Sequence, residues 1–159
     1  MAHAYTATVR WRRGDAVFTD GRYSRGHDWT FDGGVTVPAS SAPSSVRLPY
    51  SRADAVDPEE GFIASLSSCH MLFFLHLAQK AGFRIDEYRD DADGVMTPND
   101  KGKLFVSRVT LKPTIIFSGE KTPSAEDVAR LHHHAHEECY IANSVLTEID
   151  IAVIAPVYA

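Results

Sequence analysis

The chain has 159 residues, 44% of them hydrophobic and 23% charged, with a formal net charge of −5. This is ordinary globular composition, long enough to bury a core, and its acidic balance speaks against a nucleic-acid footprint. The opening MAHAYTATVRW has no long apolar segment, so no signal peptide or anchor is expected there, and the expected location is cytoplasmic.

Tyr5, Ala7, Val9 and Trp11 alternate with Thr6, Thr8, Arg10 and Arg12, the pattern of a half-buried strand. Gly14-Asp15 turns the chain into residues 16–19, read as the hairpin partner, and Asp20-Gly21 turns it again. A polar stretch leads to a short strand at 29–31, then Gly33-Gly34 and Thr36-Val37. Residues 38–56 are rich in Ser, Pro and Ala and read as a long surface loop, the kind that is usually functional or mobile.

Residues 57–82 predict the central helix. Asp57 is its N-cap and Pro58 its first residue, with Glu59 and Glu60 at the positive end of the dipole. Gly82 stops it, with Lys80 in the last turn. About 24 helical residues span roughly 36 Å. Ile63, Leu66, Met71, Leu72, Phe73, Phe74, Leu75 and Leu77 wrap most of the circumference, which predicts a helix buried all round. Ser65, Ser67, Ser68, His70 and His76 interrupt the run, so it does not read as a membrane span. Cys69 sits in its middle.

Residues 84–91 read as a strand with 94–96 as its continuation, and residues 98–102 as a strong turn. Residues 104–117 form one long β segment, with Pro113 predicting a bulge or an edge. Thr122 or Ser124 caps a second helix, Asp127 completing a capping box with Ser124. Val128, Leu131, Ala135, Cys139 and Ala142 form its apolar stripe, and Asn143 its left-handed C-cap. Val145, Thr147, Ile149, Ile151 and Val153 make a last strand. The fold class is therefore α+β with antiparallel sheet, as one domain over residues 1–159.

Two cysteines, Cys69 and Cys139, lie 70 positions apart, neither in a CxxC pair. In a reducing compartment they read as a catalytic or sensing pair, or as two inert buried thiols. A reactive thiolate needs a nearby cation, and Arg12, Arg13, Arg22, Arg25, Arg47 and Arg52 are the candidates. His132 and His136 have the i, i+4 spacing that can chelate zinc on a helix, as do His133 and Glu137. Without an HExxH or CxxC signature, His132, His133, His134 and His136 are read as a solvated face. His70 and His76 are expected in the core or an interface. The side chain of His70 points about 100° away from that of Cys69, so His70 is not assigned as its base.

The segment DPEEGFIASLSSCHML resembles the NPEELLAASLAACHM segment of the OsmC/Ohr family, the osmotically inducible protein C and organic hydroperoxide resistance proteins. AHEECYIANS, residues 135–144, resembles the family's second cysteine motif, departing at Tyr140, where the better-known members carry proline. Tyr5-Thr6-Ala7-Thr8 also fits the family's start. The resemblance implies an OsmC-like fold of antiparallel β-sheets wrapped around two central helices, as an intertwined homodimer. It implies thiol-dependent reduction of organic hydroperoxides, with Cys69 as the peroxidatic and Cys139 as the resolving cysteine. An external dithiol, a lipoyl-type one among the candidates, would be the reductant, with no metal or organic cofactor. Glu59 matches the family glutamate that pairs with an arginine at the thiolate, and Arg25 is the favoured arginine.

Glu59 and Cys69 are ten residues apart, about 15 Å along a helix. Either Glu59 comes from the other subunit or the helix breaks near Gly61. Phe62, Met71, Phe73 and Phe74 suggest an apolar pocket and hence an organic substrate. Two alternatives stand beside this reading. One is an OsmC-like ligand-binding dimer with little peroxidase activity, favoured by Tyr140 and the 38–56 loop. The other is a metal-binding protein using the His132–His136 cluster.

Overall fold

The computed structural model describes residues 3–152 and 155–159. The chain divides into two units, residues 1–61 and 62–159.

In the first unit β1 (Ala7–Arg10), β2 (His27–Phe31) and β3 (Thr36–Ala39) form an antiparallel sheet in that order. The expected hairpin partner at 16–19 is not a strand. β1 pairs instead with β2, Val9 opposite Trp29 and Arg10 opposite Asp28. The reason is local: Phe18 has φ +70°, in the left-handed region, which no strand accommodates. The 38–56 segment is irregular but tied down. The Ser40 amide donates to Val56 O (3.0 Å) and the Val56 amide to Pro38 O (3.1 Å), beside an Ala39–Val56 bridge, and the buried Ser40 hydroxyl accepts from the Arg52 amide at 3.0 Å.

Helix α1 (Pro58–Lys80) begins and ends as its sequence dictates. The Asp57 carboxylate accepts from the Glu60 amide (2.8 Å) and the Glu60 carboxylate from the Asp57 amide (3.0 Å), a reciprocal cap. At the other end Gly82 takes φ +79°, its amide donating to Gln79 O (3.0 Å) and that of Phe83 to Ala78 O (3.0 Å), a Schellman motif. The helix is continuous through Gly61, whose missing side chain makes room for the Trp29 ring: a Cβ there would stand 2.8 Å from it.

The second unit contains β4 (Arg84–Asp90), β5 (Asp93–Pro98), β6 (Leu104–Leu111), β7 (Pro113–Ser118), α2 (Ala125–Glu138), β8 (Glu148–Ile151) and β9 (Val157–Tyr158). Two sheets form, in the orders β4-β7-β9 and β5-β6-β8. Residues 94–96 therefore do not continue β4 but belong to the other sheet. Residues 104–117 are likewise two strands, broken at Lys112, whose amide turns to the Asp90 carboxylate at 2.6 Å. β8 runs parallel to β6 and β9 parallel to β7, so the sheets are mixed where antiparallel ones were expected. Val153, placed in the last strand by its alternation, lies outside the described residues.

The core gathers on one row of α1. Leu66, His70, Phe74 and Ala78, at i, i+4 spacing, are its buried residues. Phe74 and Ala78 pack with Ile115 and Phe117 of β7 and with Val128, Leu131 and Ala135 of α2; Leu66 packs with Val109 and Leu111 of β6. The expectation of burial all round is thus corrected: sheets and α2 cover one row, while Leu72 is 60% exposed. By length and composition α1 is apolar enough to cross a membrane, but its buried row is committed to this core. Phe74 is fully buried at the junction of α1, α2 and β7. Phe74→Ala is expected to destabilise the protein by about 3–5 kcal/mol, read as a shift of the urea midpoint with unchanged m.

Candidate active site

α1 presents Cys69 on the flank of its buried row, half-buried, next to the fully buried His70. Cys139 follows α2 directly. Its backbone is extended (φ −66°, ψ 111°) and its amide closes the helix on His136 O at 3.3 Å. Cys139 is thus the helix cap rather than a member of the helical stripe. The chain then coils into a 3₁₀ turn over Ala142–Ser144. Asn143 lies in that turn, and it caps α2 by its side chain rather than by a left-handed backbone. Its amide nitrogen donates to Glu137 O (2.8 Å) and Cys139 O (3.1 Å). The Ser144 hydroxyl donates to Tyr140 O at 2.6 Å.

These bonds fix the Cys139 sulfur, which accepts from the Ala142 amide at 3.4 Å. They also bring it to Cys69, 70 residues away in sequence: the two thiols lie near enough for each to act on the other's ionisation. Both are free thiols. Burial first, and then the contact with Cys69, pushes the Cys139 thiol up to about 11, so it is protonated at neutral pH.

Cys69 opens into a cleft of about 510 Å³ walled by Leu72, Phe73, His76, Tyr140 and Ile141, with Ser65 and Ser68 at its edge. Tyr140 stands edge-on to Phe73, ring centroids 5.1 Å apart at 87°. Phe73 is one turn beyond Cys69, so this aromatic contact runs alongside the thiol pair. Of the residues expected to form an apolar pocket, Phe73 alone lines this cleft. Phe74 is core, and Phe62 packs on the Leu66 cluster.

The histidines divide. His132 is 3% exposed, which corrects the solvated-face expectation for that residue; His133 and His134 do face outward. His70 Nε2 and His132 Nδ1 are 3.0 Å apart, their rings stacked at 5.3 Å, with Phe74 against His132 at 4.3 Å. Burial is the main cause that depresses both, His70 to about 4 and His132 to about 3. His136 adds to the first and His70 to the second. The pair is neutral at pH 7. The partner of His132 in the structure is therefore His70 rather than His136. Among the described residues no group of three or more His, Cys, Asp or Glu is arranged to hold a metal ion.

Arg25 and Glu59 come together in the first unit, in a cleft of about 510 Å³ that also contains Trp11, Phe18 and Tyr23. The Arg25 guanidinium lies 3.8 Å over the Tyr23 ring and donates to Gly21 O (2.8 Å) and Tyr23 O (2.5 Å). No ion pair joins it to Glu59. Arg12 and Arg52 line a separate cleft, Arg52 paired with Asp54 at 2.9 Å. The structure thus brings Cys69 near Cys139, and places Arg25 and Glu59 in the lining of one cleft without a bond between them, each within one unit. Among the described residues no arginine lines the Cys69 cleft.

A family model described as OsmC-like protein matches residues 51–154, well over half of the sequence. The chain belongs to the OsmC-like family. It is similar to the structure of an OsmC-like protein of unknown function from Vibrio cholerae O1 biovar eltor, with 46% identity and a TM-score of 0.94, covering 96% of this chain and 100% of that one. An organic hydroperoxide resistance protein from Elizabethkingia anophelis shares the fold at 16% identity and a TM-score of 0.66, over 100% of this chain and 97% of that one. The organic hydroperoxide resistance protein OhrB of Bacillus subtilis does so at 16% and 0.59, over 99% and 98%. No curated protein sequence matches the chain. The α+β fold is thus that of OsmC-like proteins.

Proposed function

We propose that the protein is a cytoplasmic thiol-dependent peroxidase acting on organic hydroperoxides, with Cys69 as the peroxidatic and Cys139 as the resolving residue. The observation that carries this reading is the proximity of the Cys139 thiol to Cys69, which itself lines an apolar cleft. Two inert buried thiols have no need to meet, and Cys69 faces an opening wide enough for a small organic molecule.

The Cys69 thiolate attacks the distal peroxide oxygen. The O–O bond breaks, the alcohol leaves with a proton, and Cys69 becomes a sulfenic acid. Cys139 then attacks that sulfur; an S–S bond forms and water leaves. An external dithiol restores both thiols by exchange. The elevated Cys139 suits this division of labour, since it stays a protonated thiol until a sulfenic acid stands beside it. The Ala142 amide at 3.4 Å holds the Cys139 sulfur in place for the second step.

The reading includes a homodimer. α1 has no break at Gly61, so the alternative in which Glu59 folds back to its own Cys69 is set aside. Glu59 and Arg25 act from the second subunit, Arg25 supplying the cation that the Cys69 cleft lacks. The names of the Elizabethkingia anophelis and Bacillus subtilis proteins agree with this chemistry. The test is the rate of consumption of cumene hydroperoxide, a fatty-acid hydroperoxide and hydrogen peroxide in the presence of a dithiol. The organic peroxides are expected to react at least about tenfold faster than hydrogen peroxide, because only they fill an apolar cleft. Equal rates, or none above the dithiol alone, would contradict the proposal.

A further inference from the structure

The two faces of β1 serve different clefts. Val9 and Trp11 line the cleft of Arg25 and Glu59. Arg10 and Arg12, alternating with them, line a second concavity of about 370 Å³, also within the first unit. Arg52 joins them there, so three guanidiniums converge on one opening in a chain of net charge −5. Like charges gathered in one concavity repel one another, and an incoming anion relieves that repulsion.

The three arginines are held differently. Arg52 is built into the wall. Its amide donates to Oγ of the fully buried Ser40 (3.0 Å), while its Nε and Nη2 donate to the two oxygens of Asp54 at 3.0 and 2.9 Å. Its stem crosses Gly26, where a Cβ would stand 3.1 Å from Cδ of Arg52 and 3.2 Å from Oγ of Ser24. Arg10 and Arg12 have no ion-pair or side-chain hydrogen-bond partner among the described residues. Asp28, opposite Arg10 in the β1–β2 register, lines the concavity without forming an ion pair. Both ring nitrogens of His27 are engaged: Nε2 accepts from Trp29 Nε1 (3.0 Å) and Nδ1 bonds Arg25 O (2.8 Å). The lining therefore sets three positive charges against the single carboxylate of Asp28.

That excess selects the ligand. A carboxylate brings one charge and two oxygens. A phosphate monoester carries close to two charges at neutral pH and three free oxygens, which guanidinium forks take in pairs. Among the described residues no apolar side chain lines the concavity, so any group attached to the phosphate would be polar.

We propose that this concavity binds a phosphate-type dianion, free or carried on a small polar molecule, between Arg10, Arg12 and Arg52. The inference does not rest on the peroxidase reading, since it uses neither thiol nor the Arg25–Glu59 cleft.

The test uses the full-length protein, titrated calorimetrically at fixed ionic strength with glycerol 3-phosphate, inorganic phosphate and glycerate. At least one of the two phosphates is expected to bind about tenfold more tightly than glycerate. Tighter binding of the ester assigns the organic source, and binding of inorganic phosphate as tightly or more so assigns the free ion. Arg12→Gln, at an exposed position, is expected to weaken phosphate binding roughly tenfold with an unchanged melting temperature. Asp28→Asn is expected to strengthen it roughly threefold, a gain that a merely structural carboxylate would not give. Arg22→Gln, outside the concavity, should leave it unchanged. No binding, equal affinity for glycerate and the phosphates, or equal losses from Arg22→Gln and Arg12→Gln would overturn the inference.

Discussion

Cys69→Ser is expected to reduce peroxide consumption to that of the dithiol alone, while Cys139→Ser completes one turnover and stops. The difference follows from the position of each sulfur. Cys69 is half-buried and lines the cleft, whereas Cys139 is 1% exposed, protonated at neutral pH, and does not line it. A serine hydroxyl at 69 has neither the acidity nor the nucleophilicity to open a peroxide bond. A serine at 139 leaves the first step intact but cannot form the disulfide, so Cys69 accumulates as sulfenic acid, trapped by dimedone and weighed by mass spectrometry. Single-turnover kinetics with each variant separate the two steps. Full multiple turnover by Cys139→Ser with a dithiol would mean that the reductant, rather than Cys139, resolves the sulfenic acid.

A second large effect is expected from acid. His70 and His132 are buried against each other with only a neutral pair's hydrogen bond between them. Their folded values, about 4 and about 3, lie below the ordinary 6.5 of an unfolded histidine. A depressed histidine contributes its full stability above the unfolded value and loses it as pH falls through the window below. Stability should therefore be flat above pH 7 and decline from pH 6.5 toward about 4. Each histidine contributes about 1.4 kcal/mol per pH unit in that window, so the pair would remove up to about 4 kcal/mol at pH 5. Against a typical total of about 5–15 kcal/mol this is a large fraction, and it corresponds to a fall in Tm of roughly 10 °C. Melting curves at pH 7.5 and 5.0 measure it. The double variant His70→Gln, His132→Gln should start less stable and show a flatter profile. The same acid slope in parent and double variant would place the sensitivity elsewhere.

The chain's local chemistry was the legible part. Asp57, Pro58, Glu60 and Gly82 set both ends of α1 through bonds that span only a few residues, and Ser124 with Asp127 set the start of α2. Long-range contacts were not legible. Residues 104–117 read as one strand because the break at Lys112 depends on Asp90, 22 positions away. The pairing of β1 with β2 displaced a nearer candidate that Phe18's backbone disallows. In the site, the two cysteine motifs pointed to Cys69 and Cys139, but their contact required the fold. His132 was misread because four histidines among five residues obscure the period. It stands four after Val128 and three before Ala135, both buried, and that spacing was the available signal. α1 carried the opposite lesson: apolar residues around most of its circumference coexist with a single buried row.

The central claim is that Cys69 and Cys139 act as one redox pair. It is tested most directly by adding one equivalent of cumene hydroperoxide to the reduced protein, titrating free thiols, and mapping the products by non-reducing peptide mass spectrometry. The account predicts loss of both thiols per chain and a single Cys69–Cys139 disulfide peptide, with no thiol lost in Cys69→Ser. Survival of both thiols in the parent protein would contradict it.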